Sequence, residues 1–210
     1  LENVIDVEPS AQPLYGERDL RRRLAASGYS TEDLELILHP MAGEGKEPTG
    51  SMGDDTPLAA LSNHNRQLHH YFRQVFSQVT NPPIDSLREQ RVMTLKTRLG
   101  NLGNVFDEDQ TQTDILVLES PVLSTSEFNG MVDRMGDSVA TIDATFSVVD
   151  ADKPLTAALD RIRQEAEDAV RGGKTHLVLS DENIGPEQAA IPMILAAGGV
   201  HTHLVRHGLR

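Results

Sequence analysis

A chain of 210 residues is long enough for one large domain, or one and a half small ones, and 38% hydrophobic residues with 4% aromatic ones give it an adequate but lean core. The formal net charge of -13 argues against nucleic acid, whose phosphates need clustered Lys and Arg, and suits a soluble cytoplasmic protein. Zero cysteines exclude a disulfide framework, a thiol nucleophile and a cysteine-ligated iron–sulfur cluster, and no apolar run approaches the roughly 20 residues that span a bilayer.

No secretory signal opens the chain, which starts at Leu1 rather than Met and stops at Arg210. Both ends read as cuts in a longer polypeptide. Glu17 to Ala26 reads as a short charged helix ended by Gly28. Ser30 and Thr31 then offer an N-cap, Leu34, Ile37 and Leu38 supply a buried stripe, and Pro40 is expected to stop that helix. After a loop, Leu68, Phe72, Val75, Phe76 and Val79 recur at helical spacing, which predicts an amphipathic helix from His64 to Val79. Asn81-Pro82-Pro83 cannot continue it, and Ser86 with Glu89 looks like a capping box opening a helix that would end near Gly100.

The second half changes period. Ile115 to Leu118 is a short apolar run of strand type, Ser126 to Met135 a helix, and Val139 to Val148 a strand rich in β-branched residues. Leu155, Leu159, Ile162, Ala166 and Val170 share one face of a helix closed by Gly172-Gly173. Thr175 to Leu179 is the next strand, and Ile191 to His207 is mostly helical. Strands alternating with helices imply a parallel sheet with right-handed crossovers, part of a (β/α) barrel or of a doubly wound sheet. The expected class is therefore α/β: a helical N-terminal half, then repeated β-α units on a parallel sheet.

Several clusters could carry chemistry. Asp54-Asp55 could hold a divalent cation, but they also read as a helix cap and a solvated neighbour. Gly50 and Gly53 suggest a phosphate cradle, yet no Gly-Lys-Ser/Thr follows. His203 and His207 are one helical turn apart, a spacing zinc sites use, but no acidic ligand lies nearby in sequence, and with His201 they read as packing or surface residues. His64, His69 and His70 have a weaker claim. Ser180-Asp181-Glu182 closes a strand, where barrel sites lie, or simply forms a βα loop with a helix cap. The sequence therefore offers no complete catalytic constellation, and no catalytic, cofactor or metal residue is assigned.

Two rigid loop phrases remain, Gly50 to Pro57 and Val79 to Asp85, with Gly, Pro, Asp and Asn at positions that fix backbone shape. The run Glu47-Pro-Thr-Gly-Ser-Met-Gly-Asp-Asp-Thr-Pro-Leu-Ala-Ala-Leu-Ser62 resembles the central domain of the glutamate synthase large subunit. So do Tyr71-Phe-Arg-Gln74, Gln78 through Asp85, Leu87-Arg-Glu89 and Val92-Met93. Ser120-Pro-Val-Leu-Ser124, Leu177-Val-Leu-Ser-Asp181, Ile191-Pro192 and Val200 to Arg210 continue the match in order. Four positions depart from the family's usual pattern: Glu182, Gly198, Gly199, and Thr202 between two histidines.

The resemblance implies a division into residues 1–28 as an N-terminal linker and helix and 29–210 as the central domain. Within the latter, 29–100 is the helical part with the loops, 101–114 a polar linker and 115–210 the βα-repeat part. It also implies kinship with an incomplete (β/α) barrel. The domain would be non-catalytic and cofactor-free. It would lie between an amidotransferase domain and a synthase domain of the same polypeptide, the latter bearing FMN and an iron–sulfur cluster, with a small reductase subunit as a further partner. Its task would be to help form the tunnel that carries ammonia, with Ser51, Met52, Gly53, Thr80 and Asn81 at the mouth. Asp54, Asp55, Pro82, Pro83, Asp85, Arg88 and Glu89 would position the loops. Two alternatives stand beside this reading: a free-standing interaction or regulatory module, and a small zinc hydrolase using His203 and His207.

Overall fold

The computed structural model describes residues 3–4, 14–45, 48, 61, 63, 67–72, 88, 91–92, 94–100, 106, 115–149, 152 and 154–209. The chain divides into two units, Leu1–Met131 and Val132–Arg210.

In the first unit, helix α1 (Glu17–Ala26) carries the exposed ion pairs Arg21–Glu17 and Arg23–Asp19, and the Arg23 guanidinium lies 4.3 Å from the Tyr15 ring centroid. Gly28 ends it as expected, adopting φ 74° so that the Tyr29 N–H can donate back to the Leu24 carbonyl at 2.9 Å. Ser30 is indeed the next N-cap: its hydroxyl accepts from the Asp33 N–H while the Asp33 carboxylate accepts from the Ser30 N–H at 2.8 Å. Pro40, however, does not stop the helix. Helix α2 (Thr31–Asp33) passes into a wide π turn at Leu34–Leu38, where the His39 N–H reaches the Leu34 carbonyl, and α3 (His39–Glu44) follows with the proline in its first turn. The wider turn accommodates a residue that has no N–H of its own to give. Of the expected stripe, Leu34 and Leu38 are half-buried and Ile37 is exposed.

Of the expected helix from His64 to Val79 only residues 67–72 are described, the rest, with Val75, Phe76 and Val79, lying outside the described residues, and those six are not one helical run. Leu68–Tyr71 forms a 3-10 turn and Phe72 is already extended at φ -100°, ψ 140°. None of residues 67–72 is buried, and Phe72 is 71% exposed, so the turn lacks the packed apolar face from which most helical stability comes. The helix expected to run to Gly100 is also shorter. Arg88, Arg91 and Val92 are helical, Thr94 makes a β-bridge and Thr97–Leu99 is strand β2. With β1 (Asn3–Val4) and β3 (Leu116–Leu118) it makes a mixed sheet in the order β1-β3-β2, parallel on one side of β3 and antiparallel on the other. The central strand explains the choice: Leu116, Val117 and Leu118 are all buried, so pairing on both edges satisfies a backbone that water cannot reach. Helix α4 (Thr125–Met135) opens on the capping pair Ser124 and Glu127.

In the second unit, the run Val139 to Val148 is two strands, β4 (Val139–Asp143) and β5 (Thr145–Ser147), hinged at Ala144. β4 pairs in parallel with β6 (His176–Ser180), from Val139↔His176 to Asp143↔Ser180. β5 pairs antiparallel with β7 (Gln188–Ala190), a short strand the sequence did not announce. The expectation of a single parallel sheet is thus replaced by small parallel and antiparallel sheets, with no closed barrel among the described residues. Helix α5 (Pro154–Arg171) and helix α6 (Met193–Arg206) close the core of Ile142, Ala158, Ile162, Ala166, Ile191, Ala196, Val200 and Leu204. Gly199 faces α5, where an added β-carbon would make only ordinary contacts, 3.4 Å from Arg163 Nε and 3.8 Å from Leu159 Cδ2, so space alone does not require glycine there.

Candidate functional site

Of the residues assigned to the tunnel and its loops, Ser51, Met52, Gly53, Thr80, Asn81, Asp54, Asp55, Pro82, Pro83, Asp85 and Glu89 lie outside the described residues. Arg88 is described, on an exposed helical turn. Two polar clusters of the second unit are described in full.

The first occupies the carboxyl ends of the parallel strands, where open α/β sheets place their ligands. Asp143 Oδ1 accepts from the Thr145 N–H at 2.9 Å and its hydroxyl at 2.8 Å, while Oδ2 accepts from Asn183 Nδ2 at 3.0 Å. From α5, Arg161 Nη2 donates to the Asp143 and Thr145 carbonyls at 2.8 and 2.9 Å. Burial raises the Asp143 pKa, but the bonds from Asn183 and Thr145, with the Arg161 charge, outweigh it and leave the carboxyl below its ordinary value. Next to it, the Ser180 hydroxyl accepts from the Glu182 N–H at 3.3 Å and the Asp181 carbonyl from the Ile184 N–H at 3.3 Å. Ser180-Asp181-Glu182 therefore builds a turn, and the next element is strand β7 rather than the helix that a capping reading expects. These groups are spent on turning the chain rather than aimed at a ligand.

The second cluster joins the two helices. His203 Nε2 lies 2.7 Å from Glu167 Oε2, and Arg171 Nε donates to Glu167 Oε1 at 2.8 Å. The His203 and His207 rings lie 4.2 Å apart between centroids. His207 Nδ1 is 2.8 Å from the His203 carbonyl, so that nitrogen donates and the lone pair sits on Nε2. Hydrogen bonds from Arg171 first, and from His203, hold the Glu167 carboxyl below its ordinary pKa. The histidine spacing was legible in the sequence, but Glu167 was missed because it sits on another helix. Its one signal was position: it follows Ala166 of the buried stripe and so borders the packed face.

Asp33 and Glu127 are shifted the same way, the first chiefly by the Ser30 N–H and the second chiefly by the Ser124 hydroxyl. All four carboxyl groups thus have folded pKa values below their unfolded ones. Their stabilisation is fully present above the unfolded values and is lost as pH falls through the folded ones. The urea midpoint is expected to hold steady through neutral pH and to drop below about pH 4, where carboxylates ordinarily titrate. A midpoint that rises on acidification would contradict this sign.

Comparison with known proteins adds what the geometry does not. The family described as "Glutamate synthase central domain" matches residues 22–210. The glutamate synthase (NADPH) large chain of Azospirillum brasilense is 67% identical over 192 residues, covering 91% of this chain and 13% of its own. The chloroplastic ferredoxin-dependent glutamate synthase 2 of Arabidopsis thaliana is 39% identical over 218 residues, covering 100% of this chain and 13% of its own. The NADH glutamate synthase of Schizosaccharomyces pombe is 43% identical over 193 residues, covering 90% and 9%. The chain therefore spans between 9% and 13% of the length of these relatives.

Proposed function

This chain belongs to the glutamate synthase central domain family, and on that premise we propose that it is the non-catalytic connecting domain of a cytoplasmic glutamate synthase. The parent enzyme would convert glutamine, 2-oxoglutarate and a reductant into two glutamates. This domain would link the amidotransferase domain, which frees ammonia, to the domain that holds FMN and an iron–sulfur cluster. Its own part would be to help wall the ammonia tunnel, so the 210 residues alone would have no activity. The division into 1–28, 29–100, 101–114 and 115–210, and the kinship of the domain with an incomplete (β/α) barrel, belong to the same proposal.

The match over residues 22–210 carries the reading, with 67% identity to one relative. The relatives' names support it in a second way. They specify NADPH, ferredoxin and NADH, three different electron donors, yet all share this domain. A segment common to all three serves a step they have in common, and passage of ammonia is such a step.

The chemistry of the loop residues suits that task. An ammonia conduit needs small or weakly polar walls, no acids that would trap ammonium, and a backbone stiff enough to exclude water. Ser51, Met52, Gly53, Thr80 and Asn81 supply such walls, and Pro82-Pro83 stiffen the second loop. Asp54, Asp55, Asp85, Arg88 and Glu89 would fasten the loops through caps and ion pairs.

In the full-length enzyme, Met52→Trp and Thr80→Trp should leave glutamine hydrolysis running while less of its ammonia reaches 2-oxoglutarate. Glutamine consumed per 2-oxoglutarate consumed, and free ammonia in the medium, should both rise. Unchanged coupling in both variants would defeat the tunnel assignment.

A further inference from the structure

We propose that Glu167 of α5 together with His203 of α6 and His207 at its carboxyl cap forms a three-ligand site for a divalent transition metal ion of the zinc class. Sequence spacing supplies only the histidine pair. The fold adds the missing acid, and the ligand atoms of the three residues lie within 4.8 Å of one another. Two imidazoles and one carboxylate on facing helices are a ligand set that zinc accepts, with the fourth tetrahedral position left to water. The exposed His207 gives the ion a way in from solvent.

The surroundings orient the ligands as metal sites require. A ligating histidine generally donates its second ring N–H to a carbonyl or carboxylate, which fixes the tautomer. His207 does this through Nδ1 to the His203 carbonyl at 2.8 Å, leaving Nε2 as the ligand atom. Glu167 is held likewise, with Arg171 on Oε1 and Oε2 turned to His203. The same geometry sets the rearrangement that binding needs. With zinc about 2.0–2.1 Å from each ligand atom, tetrahedral ligands lie about 3.3 Å apart. The His203 Nε2–Glu167 Oε2 pair, at 2.7 Å, must therefore open by roughly 0.6 Å as the hydrogen bond gives way to the ion. Long side chains on two helix surfaces can open that far by rotamer adjustment. The resulting clamp would join α5 to α6 near their carboxyl ends.

The experiment is equilibrium dialysis of the tag-free 210-residue chain, stripped with chelator, against micromolar zinc chloride, with bound metal counted by mass spectrometry. The expected result is one zinc per chain and a thermal midpoint raised by zinc, as for any ligand that binds only the folded state. Because His207 is exposed, His207→Ala should fold normally and yet lose the bound zinc. Glu167→Gln should weaken binding by at least about 10-fold, while His69→Ala should leave it unchanged. No zinc bound by the parent chain, or one equivalent retained by His207→Ala, would overturn the proposal.

Discussion

Ile162→Ala is expected to destabilise the Val132–Arg210 unit by about 3–4 kcal/mol, in the middle of the range for a truncated core aliphatic. The value follows from the company Ile162 keeps. It is fully buried on the inner face of α5, and its neighbours along that face are Ala158 and Ala166. Ala196 and Gly199 stand on α6, so small residues let the two helices approach closely while a few large side chains fill the remaining space. Ile162, Ile191 and Val117 are the largest fully buried side chains described, and only the first two belong to this unit. An emptied site bordered by alanines cannot refill by side-chain rotation, because alanine has no rotamers to offer, so the cavity persists and its cost adds to the lost transfer energy. Ile162→Val, which removes one methylene, should cost about 1 kcal/mol. Hydrogen exchange of the amides in Met193–Arg206 reads this unit directly. A loss under about 1 kcal/mol for the alanine variant would show that the helices close over the gap, contrary to the packing argument.

The same helix shows what the sequence could and could not reveal. Leu155 to Val170 was legible because its apolar residues keep one period and Gly172-Gly173 end it; the helix runs Pro154–Arg171, and Gly173 takes φ 91°. Thr175 to Leu179 was legible for similar reasons and is shifted by one residue to His176–Ser180. Failures fall where partners far along the chain decide the outcome. Thr97–Leu99 pairs with a buried strand at 116–118, and that pairing overrides the local helical pattern. Gln188–Ala190 is a strand only because Thr145–Ser147 lies beside it. Pro40 misled for another reason: a stop signal for an α-helix need not stop a chain that can widen its turn. At the candidate sites the division is the same. A histidine pair one turn apart is local information, whereas Glu167 reaches it only through the crossing of two helices. The loops that identify the family lie outside the described residues, so their role rests on resemblance and on the chemistry of their side chains.

The break at Ala144 leads to the second large effect. There the chain leaves a parallel partner for an antiparallel one, Val139–Asp143 pairing with His176–Ser180 and Thr145–Ser147 with Gln188–Ala190. Arg161 spans the break: one guanidinium nitrogen donates to the carbonyls of both Asp143 and Thr145, and the other to Glu165 at 3.1 Å. Arg161→Met keeps the apolar stem and removes the donors, so it isolates the hydrogen bonds from the packing. A charged donor bonded to two carbonyls would be worth more than an ordinary hydrogen bond, but the side chain is 39% exposed and water can replace part of it. The expected loss is about 2 kcal/mol, which exceeds what the exposed ion pair with Glu165 could supply by itself. Two companions separate these contributions. Glu165→Gln removes the ion pair alone and should cost no more than about 0.5 kcal/mol. Arg161→Lys keeps the charge but has no planar fork to meet both carbonyls, so it should recover only part of the loss. If lysine restored full stability, the positive charge beside Asp143 would be what matters, and the bridging of two carbonyls would not.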